Sequence, residues 1–151
     1  MLVPSTGVDI VEIGRILVAL QRHGERFLRR IYTPEEVAFC HGRDRELAAR
    51  FAAKEATMKA LGTGVRGVGW RDIEVLPNRR GKPLIYLYGR GEARARAIGL
   101  RSIDVTLTHD GGLAVAVVVA LREGGDAPDM IEDPASSRAW LLDRLRQRGL
   151  L

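Results

Sequence analysis

The chain has 151 residues and a net charge of +5, a length that suits one domain with its own hydrophobic core. Hydrophobic residues make up 46% and charged residues 28%, an ordinary globular mixture. No apolar run approaches the ~20 residues of a membrane helix, the N-terminus lacks the pattern of a secretory leader, and the single cysteine, Cys40, excludes an internal disulfide; a cytoplasmic protein with no membrane segment is expected.

Residues 7–13, GVDIVEI, read as a short strand with a lone Asp9 among β-branched neighbours. Ile13, Ile16, Leu17 and Leu20 then recur at helical spacing, and Gly24 ends or kinks that helix. TPEE at 33–36 is a capping box with Pro34 at the first helical position. A longer helix spans about 44–61 and stops at Gly62. Segments 72–77 and 83–88 alternate as strands around the turn NRRG. A short helix over about 90–98 leads to a second hairpin, 102–108 with 113–121, closed by Asp110-Gly111-Gly112. Its Val/Ala-rich second arm suits a buried strand. Residues 123–137 read as a Gly/Pro/Asp/Ser linker, and 138–148 as a short basic helix with Leu141 and Leu145 on one side. The plan is α+β: an antiparallel β-sheet packed with helices, plus a C-terminal tail helix. Residues 1–122 form the domain and 123–151 a linker and helix without an assigned role.

Chemistry concentrates in RFAAKEATMKALGTG, residues 50–64. At 100° per residue, Met58 lies about 340° and Leu61 about 280° from Phe51, while Glu55 falls at about 40° and Lys59 at about 80°. Glu55 and Lys59 therefore sit between two apolar stripes. Lys54, at about 300°, is bounded by Met58 and Leu61. One reading is an ordinary i, i+4 ion pair. The other is a site in which Glu55 holds a divalent cation, because a half-buried carboxylate needs compensation. Mg²⁺ takes one or two carboxylates plus phosphate and water oxygens. Asp9 is the candidate second ligand; its alternative is a turn residue at the strand end. Glu12 is explained as first-turn helix charge.

Taken together, GVDIVEIGRI at 7–16, TPEE at 33–36, RFAAKEATMKALGTG at 50–64, DIEVLPNRRGKP at 72–83 and VTLTHDGGLAVAVVV at 105–119 resemble the holo-acyl-carrier-protein synthases. These are small bacterial-type 4′-phosphopantetheinyl transferases, and the resemblance covers about residues 5–121. It implies transfer of the phosphopantetheine arm of coenzyme A to a serine of apo acyl carrier protein. Mg²⁺ is the implied cofactor and adenosine 3′,5′-bisphosphate the implied product. It also implies that Asp9 and Glu55 hold the metal and that Lys54, Lys59 and His109 serve the coenzyme A site. Within that frame, Lys59 adds positive charge for phosphoryl transfer. Gly62, Thr63 and Gly64 either let backbone approach a phosphate or simply stop the helix. His109, before the hairpin turn, is otherwise a turn histidine; His23 and His41 read as surface residues. The family further implies a homotrimer with active sites between subunits.

Acyl carrier proteins are acidic, which suits Arg15, Arg22, Arg26 and Arg30, at spacings of 7, 4 and 4, as a docking stripe. The alternative is a solvated face, and Gly24 interrupts the stripe. The rival functions are a basic nucleic-acid-binding module and a carrier-binding module without catalysis. Against the first, aromatics are only 5% of the chain and form no basic–aromatic stacking platform. Asp9 and Glu55 would also repel phosphates without a metal, so neither nucleic acid nor membrane is expected as a partner. Against the second, the site residues are all present.

Overall fold

The computed structural model describes residues 1–124 and 134–151, so most of the expected 123–137 linker lies outside the described residues. The chain enters through β1 (Leu2–Glu12), then runs through α1 (Ile13–His23), α2 (Glu25–Ile31), α3 (Pro34–Cys40) and the long α4 (Asp44–Leu61). A one-turn α5 (Gly64–Gly67) and a 3₁₀ turn at Trp70–Asp72 lead to the hairpin β2 (Ile73–Pro77) and β3 (Pro83–Leu87). Then come α6 (Gly89–Ala97), β4 (Leu100–Asp110), β5 (Leu113–Glu123) and α7 (Pro134–Gln147). The architecture is α+β, as expected.

The main sheet is antiparallel, in the order β1-β5-β4, and β2-β3 forms a separate hairpin. β1 starts earlier than the β-branched run suggests, because it pairs with β5 from Leu2↔Glu123 through Glu12↔Leu113. Pro4 hides this from the pattern. As an edge strand, β1 tolerates a proline that a central strand would not.

Side chains alternate across β5. Ala114, Ala116, Val118 and Ala120 are buried under α4, where Ala52, Ala53, Ala56 and Ala60 face them with no exposure. Small residues on both layers let helix and sheet approach closely. The closest approach is at Gly7, where any Cβ would lie 1.8 Å from the Ala56 carbonyl oxygen. Among the described residues the sheet's other face is left exposed: Val8 is 56% exposed, Ile10 58% and Val119 46%, with Val117 and Leu121 beside them.

Local signals account for the helix ends. The Thr33 side chain accepts from the Glu36 amide, and the Glu36 carboxylate accepts from the Thr33 amide, the reciprocal pair of a capping box. α4 ends in a Schellman motif: Gly62 N–H donates to the Lys59 carbonyl and Thr63 N–H to the Met58 carbonyl, with Gly62 at φ 72°. The α1–α2 segment bends at Gly24 (φ 50°, ψ −130°), the interruption expected there, so the arginine stripe is divided between two helices.

Candidate active site

Period-two alternation places Asp9 on the same sheet face as Gly7 and Val11, the face that α4 covers, while Val8 and Ile10 point away. On α4, Phe51, Glu55 and Lys59 follow one another at i, i+4 and i+8, a single row along the helix. The Gly7 approach brings that row against β1. Asp9 and Glu55 thereby line one cleft of about 310 Å³ together with Arg15, Ile16, Phe27 and Phe51.

The two carboxyl groups are within hydrogen-bonding reach of each other. Burial raises the proton affinity of Glu55, and the hydrogen bond to Asp9 and the Asp9 charge raise it further; Lys59 and Arg15 oppose them. The i, i+4 ion pair between Glu55 and Lys59 gives way to a longer reach. Lys59 Nζ lies 3.2 Å from Asp9 Oδ1 and donates to the Val8 carbonyl at 2.7 Å.

Two crowded, half-buried carboxylates are a hard-oxygen donor set, and a divalent cation would relieve their mutual repulsion. Among the described residues no cluster of three or more His, Cys, Asp or Glu side chains forms. A cation at Asp9 and Glu55 therefore leaves coordination positions for phosphate and water oxygens, which fits Mg²⁺.

Lys54 departs from expectation. Read as a ligand of the substrate site, it is instead fully buried in the core, about 100° around α4 from Glu55 and outside the lining of the cleft. Its ammonium is 2.7 Å from Glu36 Oε2 and donates to the carbonyls of Trp70 at 2.9 Å and Ile73 at 2.5 Å. Burial lowers its pKa, and Glu36 acts in the opposite direction. An ammonium has three protons; with three acceptors already engaged, none is left for a ligand. Glu36 also accepts from the Val75 amide, while Glu74 accepts from the hydroxyls of Thr33 and Tyr88. Sequence reasoning saw Glu36 only as a capping residue. The signal for more was Lys54's place between Met58 and Leu61, which marks burial without naming a partner.

Gly62 and Thr63 also differ from the phosphate-cradle reading. The amides of Gly62 and Thr63 close the α4 cap, so neither is free to donate to an anion. His109 is exposed near the end of β4, opposite Ala114. It shares the α4-facing side of the sheet with Asp9 but lies two strands away, roughly 10 Å across the sheet. It does not line the Asp9–Glu55 cleft.

The arginines extend outward from that cleft. Arg15 lines it and also a neighbouring hollow with Val18, Arg22 and His23; His23 adjoins a third hollow with Arg26, Phe27 and Arg30. Arg29 is held by Glu25 at 2.9 Å. The result is a basic surface bent at Gly24, with one end at the carboxylates.

Residues 5–118 match the family described as the 4′-phosphopantetheinyl transferase superfamily. The holo-[acyl-carrier-protein] synthase of Herpetosiphon aurantiacus is 46% identical over 123 residues, covering 77% of this chain and 97% of that protein. Among solved structures, the holo-[acyl-carrier-protein] synthase of Helicobacter pylori in complex with coenzyme A superposes with a TM-score of 0.71 at 34% identity, covering 76% of this chain and 98% of that one. The Neisseria meningitidis holo-[acyl-carrier-protein] synthase gives 0.71 at 34% identity, over 77% and 96%.

Proposed function

Because the chain belongs to the 4′-phosphopantetheinyl transferase superfamily, we propose that it moves the 4′-phosphopantetheine arm of coenzyme A onto a serine of an apo acyl carrier protein. The observation that carries this reading is the Asp9–Glu55 carboxyl pair in a cleft that opens onto an arginine-lined surface. In the reaction the serine oxygen bonds to the phosphorus that bears the pantetheine arm. The bond from that phosphorus to the nucleotide-side oxygen breaks, the serine proton is lost, and adenosine 3′,5′-bisphosphate leaves.

Asp9 and Glu55 would hold Mg²⁺, which when bound supplies charge neutralisation at the phosphate undergoing transfer. Lys59, at the edge of the same carboxylates, sets a fixed positive charge beside the phosphates. Phe27 and Phe51 exclude water from one side of the cleft, which strengthens every charge interaction inside it. Arg15, Arg22, Arg26 and Arg30 present positive charge to an acidic carrier, with Arg15 next to the reacting groups.

The proposal places the chemistry in residues 1–122, in a cytoplasmic homotrimer. The bare apolar face of the β1-β5-β4 sheet supports assembly, since exposed apolar patches of this kind mark protein interfaces. His109's distance from Asp9 fits a site completed by the histidine of a neighbouring chain.

The test is to incubate the protein with an acidic apo carrier protein, coenzyme A and Mg²⁺ and to record the intact carrier mass. A gain of one phosphopantetheine is expected. It should be abolished by EDTA and reduced at least about 10²-fold by Glu55→Gln. No gain on any of several carriers would overturn the reading.

A further inference from the structure

Lys54 and Glu55 are adjacent in sequence and about 100° apart on α4, so one faces the core while the other faces the cleft. What Lys54 grips in the core leads back to that cleft. Two of its three donor bonds go to the carbonyls of Trp70 and Ile73. These residues bracket the 3₁₀ turn that ends the glycine-rich connection from α4 to β2, where Gly62, Gly64, Gly67 and Gly69 occur within eight residues. Such a run has little conformational preference of its own. The third bond goes to Glu36, itself fixed by the amides of Thr33 and Val75. The Trp70 ring stacks on Phe51 at 4.7 Å between centroids and 27° between planes. Phe51 in turn walls the cleft one turn before Glu55.

We propose that Lys54 is a positioning residue for the transfer reaction. By pinning the backbone of the Trp70–Ile73 turn it holds the Trp70 ring against Phe51, and so sets the apolar wall beside the Asp9–Glu55 carboxylates. The proposal rests on the transfer reading above. It predicts that Lys54 never touches coenzyme A and that its loss appears in turnover more than in substrate binding. A wall displaced by an ångström misplaces the reacting groups, a shift that costs on the order of 10²-fold in rate.

The experiment uses a Trp140→Phe background, which leaves Trp70 as the sole tryptophan, since the chain has two. In it, Lys54→Met should keep its far-ultraviolet circular dichroism but lose the native Trp70 emission and near-ultraviolet bands. Its kcat should fall on the order of 10²-fold, with KM for coenzyme A within about threefold. Trp70→Leu leaves the Lys54–Glu36 pair in place; it should reproduce the kcat loss, and Trp70→Phe, which can still stack on Phe51, should recover most of it. If Lys54→Met does not fold, the Trp70 pair decides alone. A raised KM for coenzyme A in Lys54→Met with the Trp70 signal unchanged would make Lys54 a direct ligand and overturn the proposal. Unchanged kcat in Trp70→Leu would overturn it as well. If the unmutated protein transfers nothing, the transfer reading has failed, and the Trp70 signal alone decides whether Lys54 sets the wall.

Discussion

Glu55 sits beside a like-charged carboxylate and an aromatic wall, two neighbours that both disfavour its ionised form. A fold keeps such an arrangement at a cost in stability, which is the usual signature of a site whose compensating partner is a ligand. Cys40 shows the opposite case. It is fully buried, and burial pushes its thiol pKa up to about 11. At pH 8 the thiol is protonated and inaccessible, so it has no nucleophilic thiolate to offer. A thiol-specific disulfide reagent at pH 8 should modify no cysteine in the folded protein and one in denaturant; rapid modification of the native chain would contradict the buried placement. Asp9 and Glu55 were legible as unusual from sequence because each interrupts an apolar pattern. The Lys54–Glu36 pair was not, since its members lie 18 positions apart and nothing local couples them. The Lys59–Asp9 bridge escaped for the same reason.

Secondary elements announce themselves where short-range chemistry sets them. The capping box at Thr33 and the glycine stop at Gly62 are local hydrogen-bond devices, and both are found where the pattern put them. The early start of β1 and the path of the basic surface past Gly24 depend on tertiary pairing and a single backbone angle, which periodicity does not encode. The β1–α4 contact rests on one missing side chain. Gly7→Ala should destabilise the fold by about 1–3 kcal/mol or more through overpacking against the Ala56 carbonyl, as read from denaturant melts. An unchanged midpoint would mean that helix and strand separate at little cost. On α1 and α2, Arg22→Glu or Arg26→Glu should raise KM for the carrier roughly tenfold, equivalent to about 1.4 kcal/mol. KM for coenzyme A should stay as it is. Unaltered carrier kinetics in both variants would remove these helices from the docking surface.

At the scale of the whole molecule, one face of the main sheet carries α4, while on the other Val8, Ile10, Val117 and Val119 stay exposed among the described residues. Val117 lies in the middle of that bare face, between Val8 on β1 and Thr106 on β4. Val117→Glu would bury an unpaired carboxylate in any interface formed there, a large penalty. Sedimentation should then report monomers, and transfer activity should fall with the assembly. A Val117→Glu protein that still sediments as the parent does would place the interface elsewhere. The Val/Ala-rich run of β5 suits a buried strand on both faces, but among the described residues only the face of Ala114, Ala116, Val118 and Ala120 is covered. Nothing in a single chain's pattern distinguishes a face covered by its own helix from one left for a neighbour. Packed on the covered face, α4 is held against turning about its own axis. Any rotation that moved Glu55 relative to Asp9 would also withdraw the Lys54 ammonium from Glu36 and from the two carbonyls it holds. The direction in which the site's carboxylate points is therefore indexed from inside the core, and mutational drift at the surface can reshape the rim of the cleft without altering that angle.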